Sequence, residues 1–194
     1  RDISEIVATQ HELERARQEL LEANKLIKAR NKQLKKEIRL DSLTRTLNHV
    51  AIKEQVSKEM DRLSRSNRPF SILFIDIDDF KLVNDSFGHD AGDKLIKAVG
   101  QLISRSLRRA DTIARLGGDE FAVLLSDSKG GAQTAIDRLE SLASRTECNL
   151  RAKLSWSVGV KSFDPDRHAD VEHLLAEADS RMYDDKVKRR TVCG

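Results

Sequence analysis

The sequence is poor in cysteine, proline and aromatic residues, and each shortage removes a class of protein. Two cysteines, Cys148 and Cys193, in 194 residues form neither a disulfide framework nor the paired spacing of a zinc site. They read as free thiols in a reducing compartment. Two Pro and nine Gly are too few for a collagen-like or linker-dominated chain. No apolar run approaches the roughly 18 residues of a membrane helix, so no membrane contact is expected within this segment. The start at Arg1, with neither an initiator Met nor a signal peptide, reads as one piece of a longer chain with upstream sequence missing.

What is present is charge: 35% of residues are Asp, Glu, Lys or Arg, beside a hydrophobic fraction of 39% that is enough for a core. Such a charge content marks either disorder or a long solvated helix, and its distribution decides between them. Residues 1–40 carry 10 Lys and Arg against 7 Asp and Glu, whereas residues 41–194 carry 25 against 25. The whole net charge of +3 therefore sits in the first segment. A neutral main domain lacks the broad basic field of a nucleic-acid binder, so no nucleic-acid partner is expected.

Residues 1–40 hold no Gly or Pro, and Ile6, Leu13, Leu20, Ile27 and Leu34 recur at intervals of seven. This spacing predicts a coiled-coil helix, about 60 Å long at 1.5 Å per residue. Its companion seam positions are Gln10, Arg17, Asn24, Asn31 and Ile38. Polar seam residues, Asn above all, fix register and favour a parallel dimer at a cost in stability. A homodimer through this stem is expected, because a monomer leaves the apolar stripe in water.

From Asp41 the texture changes. Asp41-Ser42-Leu43-Thr44 ends the rod with turn-forming and capping residues, and a helix is predicted over 48–67. Phe70 to Ile77 is a buried-strand pattern after Pro69. Asp76, Asp78 and Asp79 crowd its carboxyl end, where uncompensated charge is costly, and a divalent cation is the simplest compensation. A short helix over 80–87 follows, then Gly88-His89-Asp90-Ala91-Gly92-Asp93 and a longer amphipathic helix to about Arg109. Two apolar strands joined across Gly117-Gly118-Asp119-Glu120 then read as a hairpin. Helix over 129–147, strand over 150–163 and helix over 171–188 complete an α/β sandwich with a mixed central sheet flanked by helices.

If the strand ending at Asp76 neighbours the hairpin, its acids meet Asp119 and Glu120 in a metal-dependent phosphoryl-transfer palm. Gly117 and Gly118 would let a nucleotide approach the backbone closely. Lys186 and Arg190, one turn apart on the last helix, offer cations for phosphate oxygens.

Together these blocks resemble a known family. RLGGDEF at 115–121 is similar to the signature of the GGDEF domain, the diguanylate cyclase catalytic domain, and DIDDFKLVNDSFGHDAGD at 76–93 to its second hallmark block. DSLTRTLNH at 41–49 resembles the family's opening block and MYDDKVKRR at 182–190 its closing helix. The resemblance implies a palm-like nucleotidyl cyclase domain over 41–194, after a coiled-coil dimerisation helix over 1–40.

It also implies roles. Asp76 and the Ile77 carbonyl would hold Mg²⁺ or Mn²⁺, two ions per GTP, with Asp119 and Glu120 as the paired catalytic and metal-binding acids. Asn84 and Asp93 would read guanine, since a carboxylate accepts from N1–H and the 2-amino group, donors that adenine lacks. Leu43 and Ile96 would pack on the base. Phe80, Lys81, Gly117, Gly118, Lys186 and Arg190 would face the phosphates. Arg108 and Asp111 match the family's RxxD product-inhibition site, with Arg138 a candidate second arginine.

The implied function is condensation of two GTP into cyclic di-GMP and two pyrophosphates, across a dimer and in the bacterial cytoplasm. Cyclic di-GMP would act as inhibitor, and an upstream sensor would act through the stem. A longer chain carrying a membrane anchor is compatible with this. Two alternatives stand beside it: a silent cyclic di-GMP receptor, against which the intact acids argue, and a palm cyclase for another nucleotide, against which Asp93 argues. The chain departs from the family at Arg45-Thr46 for Gly-Leu, at His49 for Arg, and at Arg189 and Thr191 for Gly and Asn. Replacing Asn24 and Asn31 together by Ile should change the fraction of cyclase-competent dimer, read by sedimentation and product formation. Unchanged activity with unchanged stem geometry counts against a signalling role for the polar seam.

Overall fold

The computed structural model describes residues 3–37, 39–66, 69–126, 131–145 and 154–192. Ile38, Cys148 and Cys193, and the side chains of Ile6 and Arg190, lie outside that description. The chain divides into two compact units, residues 1–38 and 39–194. The first is one helix, α1 (Ile3–Glu37). Within it the stripe residues Leu13, Leu20, Ile27 and Leu34 are 45–71% exposed. Among the described residues no helix is long and apolar enough to cross a membrane.

The second unit runs β1 (Leu47–Asn48), α2 (His49–Ser66), β2 (Phe70–Ile77), α3 (Phe80–Phe87), α4 (His89–Ser106), β3 (Thr112–Gly117), β4 (Glu120–Ser126), α5 (Gly131–Arg145), β5 (Trp156–Ser162) and α6 (Val171–Val192). Its five-stranded sheet has the order β1-β3-β4-β2-β5. Only the β1–β3 pair is parallel, so the sheet is mixed, as the sequence predicts. Strand β1 is a correction to the helix predicted from 48. Leu47 and Asn48 pair with Ala114 and Arg115, and a two-residue strand carries no periodic signal. Helix α4 also stops at Ser106, short of the predicted Arg109.

Every residue of β2 is buried, because the strand lies in mid-sheet with helices on both faces. Its odd-numbered members Leu73, Ile75 and Ile77 pack with α4 and α5 residues such as Val99 and Leu139. Its even-numbered members Phe70, Ile72 and Phe74 pack with Ile52 and Val56 of α2 and Leu174 and Met182 of α6. The period-2 alternation thus assigns Asp76, the next even position, to the face covered by α6.

Helix α6 reaches that face by resting directly on β5. A Cβ on Gly159 would stand 2.2 Å from the Ala178 carbonyl oxygen and from the Met182 nitrogen, distances that only backbone movement relieves. The side chains of α6 also close the outer edge of β5: Asp185 accepts from the Val158 amide at 3.0 Å, and Arg181 donates to the Val160 carbonyl at 2.9 Å. Arg45 sits at φ 62°, in the left-handed region that the family's Gly occupies without strain. Gly159→Ala should lower stability by about 1–3 kcal/mol, read from the denaturation midpoint. An unchanged midpoint would mean that α6 does not sit this close to the sheet.

Candidate active site

The acids meet through strand register. In the antiparallel β2–β4 ladder Asp76 stands directly opposite Glu120, so both side chains leave the sheet on the α6 face with their Cβ atoms about 5 Å apart. Asp76 is 6% exposed. Lys186 of α6 donates from Nζ to Asp76 Oδ1 at 2.5 Å, and Asp179, two helical turns earlier, adds negative charge beside Glu120. Asp78 is not part of this group by its hydrogen bonding: the Ser157 hydroxyl donates to its Oδ1 at 2.7 Å. Asp79 instead starts α3 at φ 54°.

The hairpin turn is held by two contacts. The Ile77 amide donates to the Asp119 carbonyl at 3.3 Å, tying the turn to the end of β2. Arg115 donates to the Gly118 carbonyl at 2.7 and 3.0 Å and to both carboxylate oxygens of Asp41 at 3.2 and 3.3 Å. A register shift between Arg115 and Gly117 leaves Leu116 as an extra residue, a bulge that turns the β3 end beside the acids. Gly118 adopts φ 51°, and a Cβ at Gly117 or Gly118 meets, among the described residues and apart from its chain neighbours, no atom within 4 Å. Space beside these glycines is therefore open to a ligand.

Burial raises the Asp119 carboxyl above its ordinary value, and the Asp76 charge adds to that against the pull of Lys186 and Arg115. Glu120 is raised likewise by burial, then by Asp76, Asp179 and Asp119. In both cases burial is the leading cause and neighbouring carboxylates add to it. Among the described residues no three Asp, Glu, His or Cys side chains form a ready-made metal cage. A hard cation such as Mg²⁺ needs only one or two carboxylates from the protein and completes its shell with water and substrate phosphates. Asp76, Glu120 and the neighbouring hairpin oxygens fit such an ion.

The expected base-reading residues lie where α3 packs on α4. Asn84 Oδ1 is buried and, among the described residues, lacks a hydrogen-bond partner. A lone buried acceptor costs about 1–3 kcal/mol unless a ligand donates to it. A Cβ on Gly92 would lie 2.0 Å from this oxygen, so glycine there keeps Asn84 in place. Asp93 is exposed on the adjoining turn of α4. Leu43 packs half-buried against the α4-side core. Ile96 is 2% exposed within that core and underlies the pocket more than it lines it. The Phe80 ring likewise packs inward, 3.1 Å from where a Gly92 Cβ would be, so its backbone N–H rather than its ring is the group available to a phosphate. Lys81 is exposed on α3.

Away from the acids, Asp111 accepts from the Arg108 amide at 2.9 Å through Oδ2, closing the turn between α4 and β3. Arg108, Asp111 and Arg138 line one pocket, with Arg138 donating to the Ser106 carbonyl at 3.3 Å. Structure thus brings together three residues whose joint placement the sequence leaves open. It also reveals Asp41, Arg115 and Asp179 as parts of the main site. Asp179 carries a usable signal in its seven-residue spacing from Lys186, which places both on one helical face.

A mixed sheet with paired acids on its adjacent strands β2 and β4, a glycine hairpin beside them and helices on both faces has the form of a palm of the nucleotidyl cyclase class. The family described as "Diguanylate cyclase, GGDEF domain" matches residues 38–191, and the chain belongs to that family. It is 32% identical over 152 residues to the diguanylate cyclase DosC of Escherichia coli K12, covering 76% of this chain and 33% of that protein. The chain therefore spans about a third of that relative's length. A sensory box/GGDEF family protein from Caulobacter crescentus CB15 superposes with a TM-score of 0.70 at 30% identity, covering 77% of this chain and 99% of the other. The coiled coil and GGDEF domain of DgcB from Caulobacter crescentus, solved in complex with c-di-GMP, matches at a TM-score of 0.73 and 21% identity over 91% of this chain and 95% of that one. At that identity the last match speaks for the fold.

Asp41 offers a pH test of the hairpin anchor. Burial alone would raise its carboxyl, but the Thr44 amide and hydroxyl and the Arg115 guanidinium more than reverse this, holding it below its ordinary 3.8. A lowered folded-state pKa contributes stability that is present above the unfolded value and lost as pH falls through the folded one. Asp41→Asn should therefore be less stable than the parent at pH 7, with the gap closing below about pH 4. A gap that stays constant across that range in urea melts counts against the anchor.

Proposed function

We propose that residues 41–194 are a diguanylate cyclase half-site and residues 1–40 the helix that pairs two of them. The observation that carries this reading is the cross-strand pair Asp76 and Glu120, the first buried and the second half-buried, beside the glycine hairpin and with Lys186 on Asp76. When bound, Mg²⁺ or Mn²⁺, two per GTP, supplies Lewis-acid polarisation of the phosphates and lowers the pKa of the attacking hydroxyl. The chain's own groups do the positioning. Asn84 and Asp93 hold the guanine edge, and Leu43 packs beside the base. Lys81, Lys186, Arg190 and the amides of Phe80, Gly117 and Gly118 take the phosphates, while Asp119 and Glu120 stand beside the reacting oxygens.

One palm holds one GTP. Each 3′-hydroxyl attacks the α-phosphate of the other GTP and expels its pyrophosphate, so two GTP give cyclic di-GMP and two pyrophosphates only when two domains face each other. Dimerisation through the stem raises the effective concentration of one half-site at the other, and an upstream sensor would act by changing that geometry. The pocket of Arg108, Asp111 and Arg138 supports a product-inhibition site, since guanidinium groups bind both phosphate and the guanine edge.

Chromatography of products after incubation with Mg²⁺ and either GTP or ATP tests the reading. Cyclic di-GMP from GTP alone is expected at concentrations where the chain is dimeric. Its absence there overturns the proposal in favour of a silent receptor, and an ATP product would favour a cyclase of other specificity. Asp119→Asn should abolish turnover. Arg108→Ala should retain it and remove the slowing caused by accumulated product.

A further inference from the structure

The acid pocket already contains one cation, and it belongs to the chain. Lys186 Nζ lies 2.5 Å from Asp76 Oδ1, with side-chain exposures of 22% for the lysine and 9% for the aspartate. Helix α6 brings it there on a fixed bearing. Asp179, Met182 and Lys186 share one helical face, and the Met182 backbone sits against Gly159, so the helix is seated on the sheet between its two charged contacts. The lysine stem, by contrast, is four rotatable carbons long, so its ammonium moves without moving the helix.

We propose that Lys186 is a resident counter-ion that a divalent cation must displace from Asp76, so that metal binds weakly alone and tightly with nucleotide. The inference rests on Asp76 being a metal ligand, as set out under Proposed function. Two cations on one largely buried carboxylate repel strongly, because little water screens them. A metal ion arriving alone therefore either forgoes its place at Asp76 or breaks the ion pair there, and it competes with the displaced ammonium for the remaining carboxylates. A nucleotide changes this balance: its phosphates offer the displaced ammonium an anion close to the one it left. Metal and nucleotide then favour each other's binding reciprocally, through a side chain that exchanges partners. The same exchange keeps Asp76 and Glu120 from facing each other without a cation while no substrate is bound.

Mn²⁺ binding to the whole chain, followed by loss of the free-ion electron paramagnetic resonance signal, tests this without turnover. Titrations are run with and without a non-hydrolysable GTP analogue on the parent, Lys186→Met and Lys186→Gln. The parent should bind Mn²⁺ weakly alone and at least about fivefold more tightly with the analogue, within the usual range of coupling between sites. Both variants should bind Mn²⁺ alone at least about fivefold more tightly than the parent, and the analogue should then add little. If the parent gains affinity with the analogue but neither variant binds Mn²⁺ alone more tightly, the counter-ion role is overturned while the metal site stands. If the parent binds no Mn²⁺ even with the analogue, or Asp76→Asn leaves its binding unchanged, the metal-ligand reading itself fails.

Discussion

Two carboxylates face each other across the β2–β4 ladder, one of them almost wholly buried, and the rest of the domain is arranged around that repulsion. Register makes it unavoidable. Phe70, Ile72 and Phe74 must point to the α2 and α6 face for the two cores to close, and period-2 alternation then carries Asp76 to the same face. A one-residue slip would exchange the two faces of β2, sending Leu73 and Ile75 to the α6 side and burying Asp76 against apolar α4 and α5 residues such as Val99 and Leu139. The packing that stabilises the sheet therefore also concentrates the charge. Cations must be brought to it, and α6 brings the first by lying on Gly159 closely enough for Lys186 to reach Asp76.

The hairpin depends on a second ionic contact, made at the opposite end of the domain's sequence. Gly118 needs a left-handed backbone, and Leu116 bulges out of β3, so the turn is an irregular piece of chain beside a charged pocket. Arg115 makes it rigid by holding the Gly118 carbonyl on one side and Asp41 on the other. Asp41 lies three positions after the boundary between the two units, so the first turn of the second unit and the acid-bearing turn share one guanidinium. Arg45 accepts a positive φ of 62° in that same turn, at a cost of about 1 kcal/mol that a glycine would not incur. The opening turn is evidently determined by its contacts more than by the local preference of its residues.

Which parts of this are legible in the sequence follows from the range over which each signal acts. Strand β2 reads from six apolar residues among eight consecutive positions, and α3 reads from Phe80 to Phe87 because Asp79 and Gly88 punctuate it. The convergence of Asp76 with Glu120 needs only one topological assumption, that the hairpin pairs with β2, and neighbouring strands are commonly adjacent. Other features depend on partners far away in the chain. Strand β1 exists because Ala114 and Arg115 offer it a ladder, and Asp78 is engaged because Ser157 lies across the sheet, 79 residues on. Asn84 is recognisable as a candidate from the family pattern, yet its lack of a partner appears only when α3 and α4 are packed together. Ile96 shows the converse error, since an apolar residue near a base-reading pair reads as lining when packing makes it core.

The closing helix departs most from the family pattern at the point where its placement matters most. Where the family has Gly, Arg189 continues α6 to Val192, binding Asp185 on its own helix at 2.8 Å and Glu140 of α5 at 3.1 Å. Asp185 in turn accepts from the Val158 amide on β5, so the ion pair, the helix and the sheet edge form one connected set. Exposed ion pairs of this kind contribute little stability singly. Their effect here is geometric: they fix the last turns of a helix whose Lys186 must reach Asp76 at one end of its travel and a phosphate at the other. A glycine at 189 favours helix termination, which would leave that bearing to Gly159 alone. The substitution thus ties the closing helix to α5 and to the edge of β5 at the turn that follows Lys186.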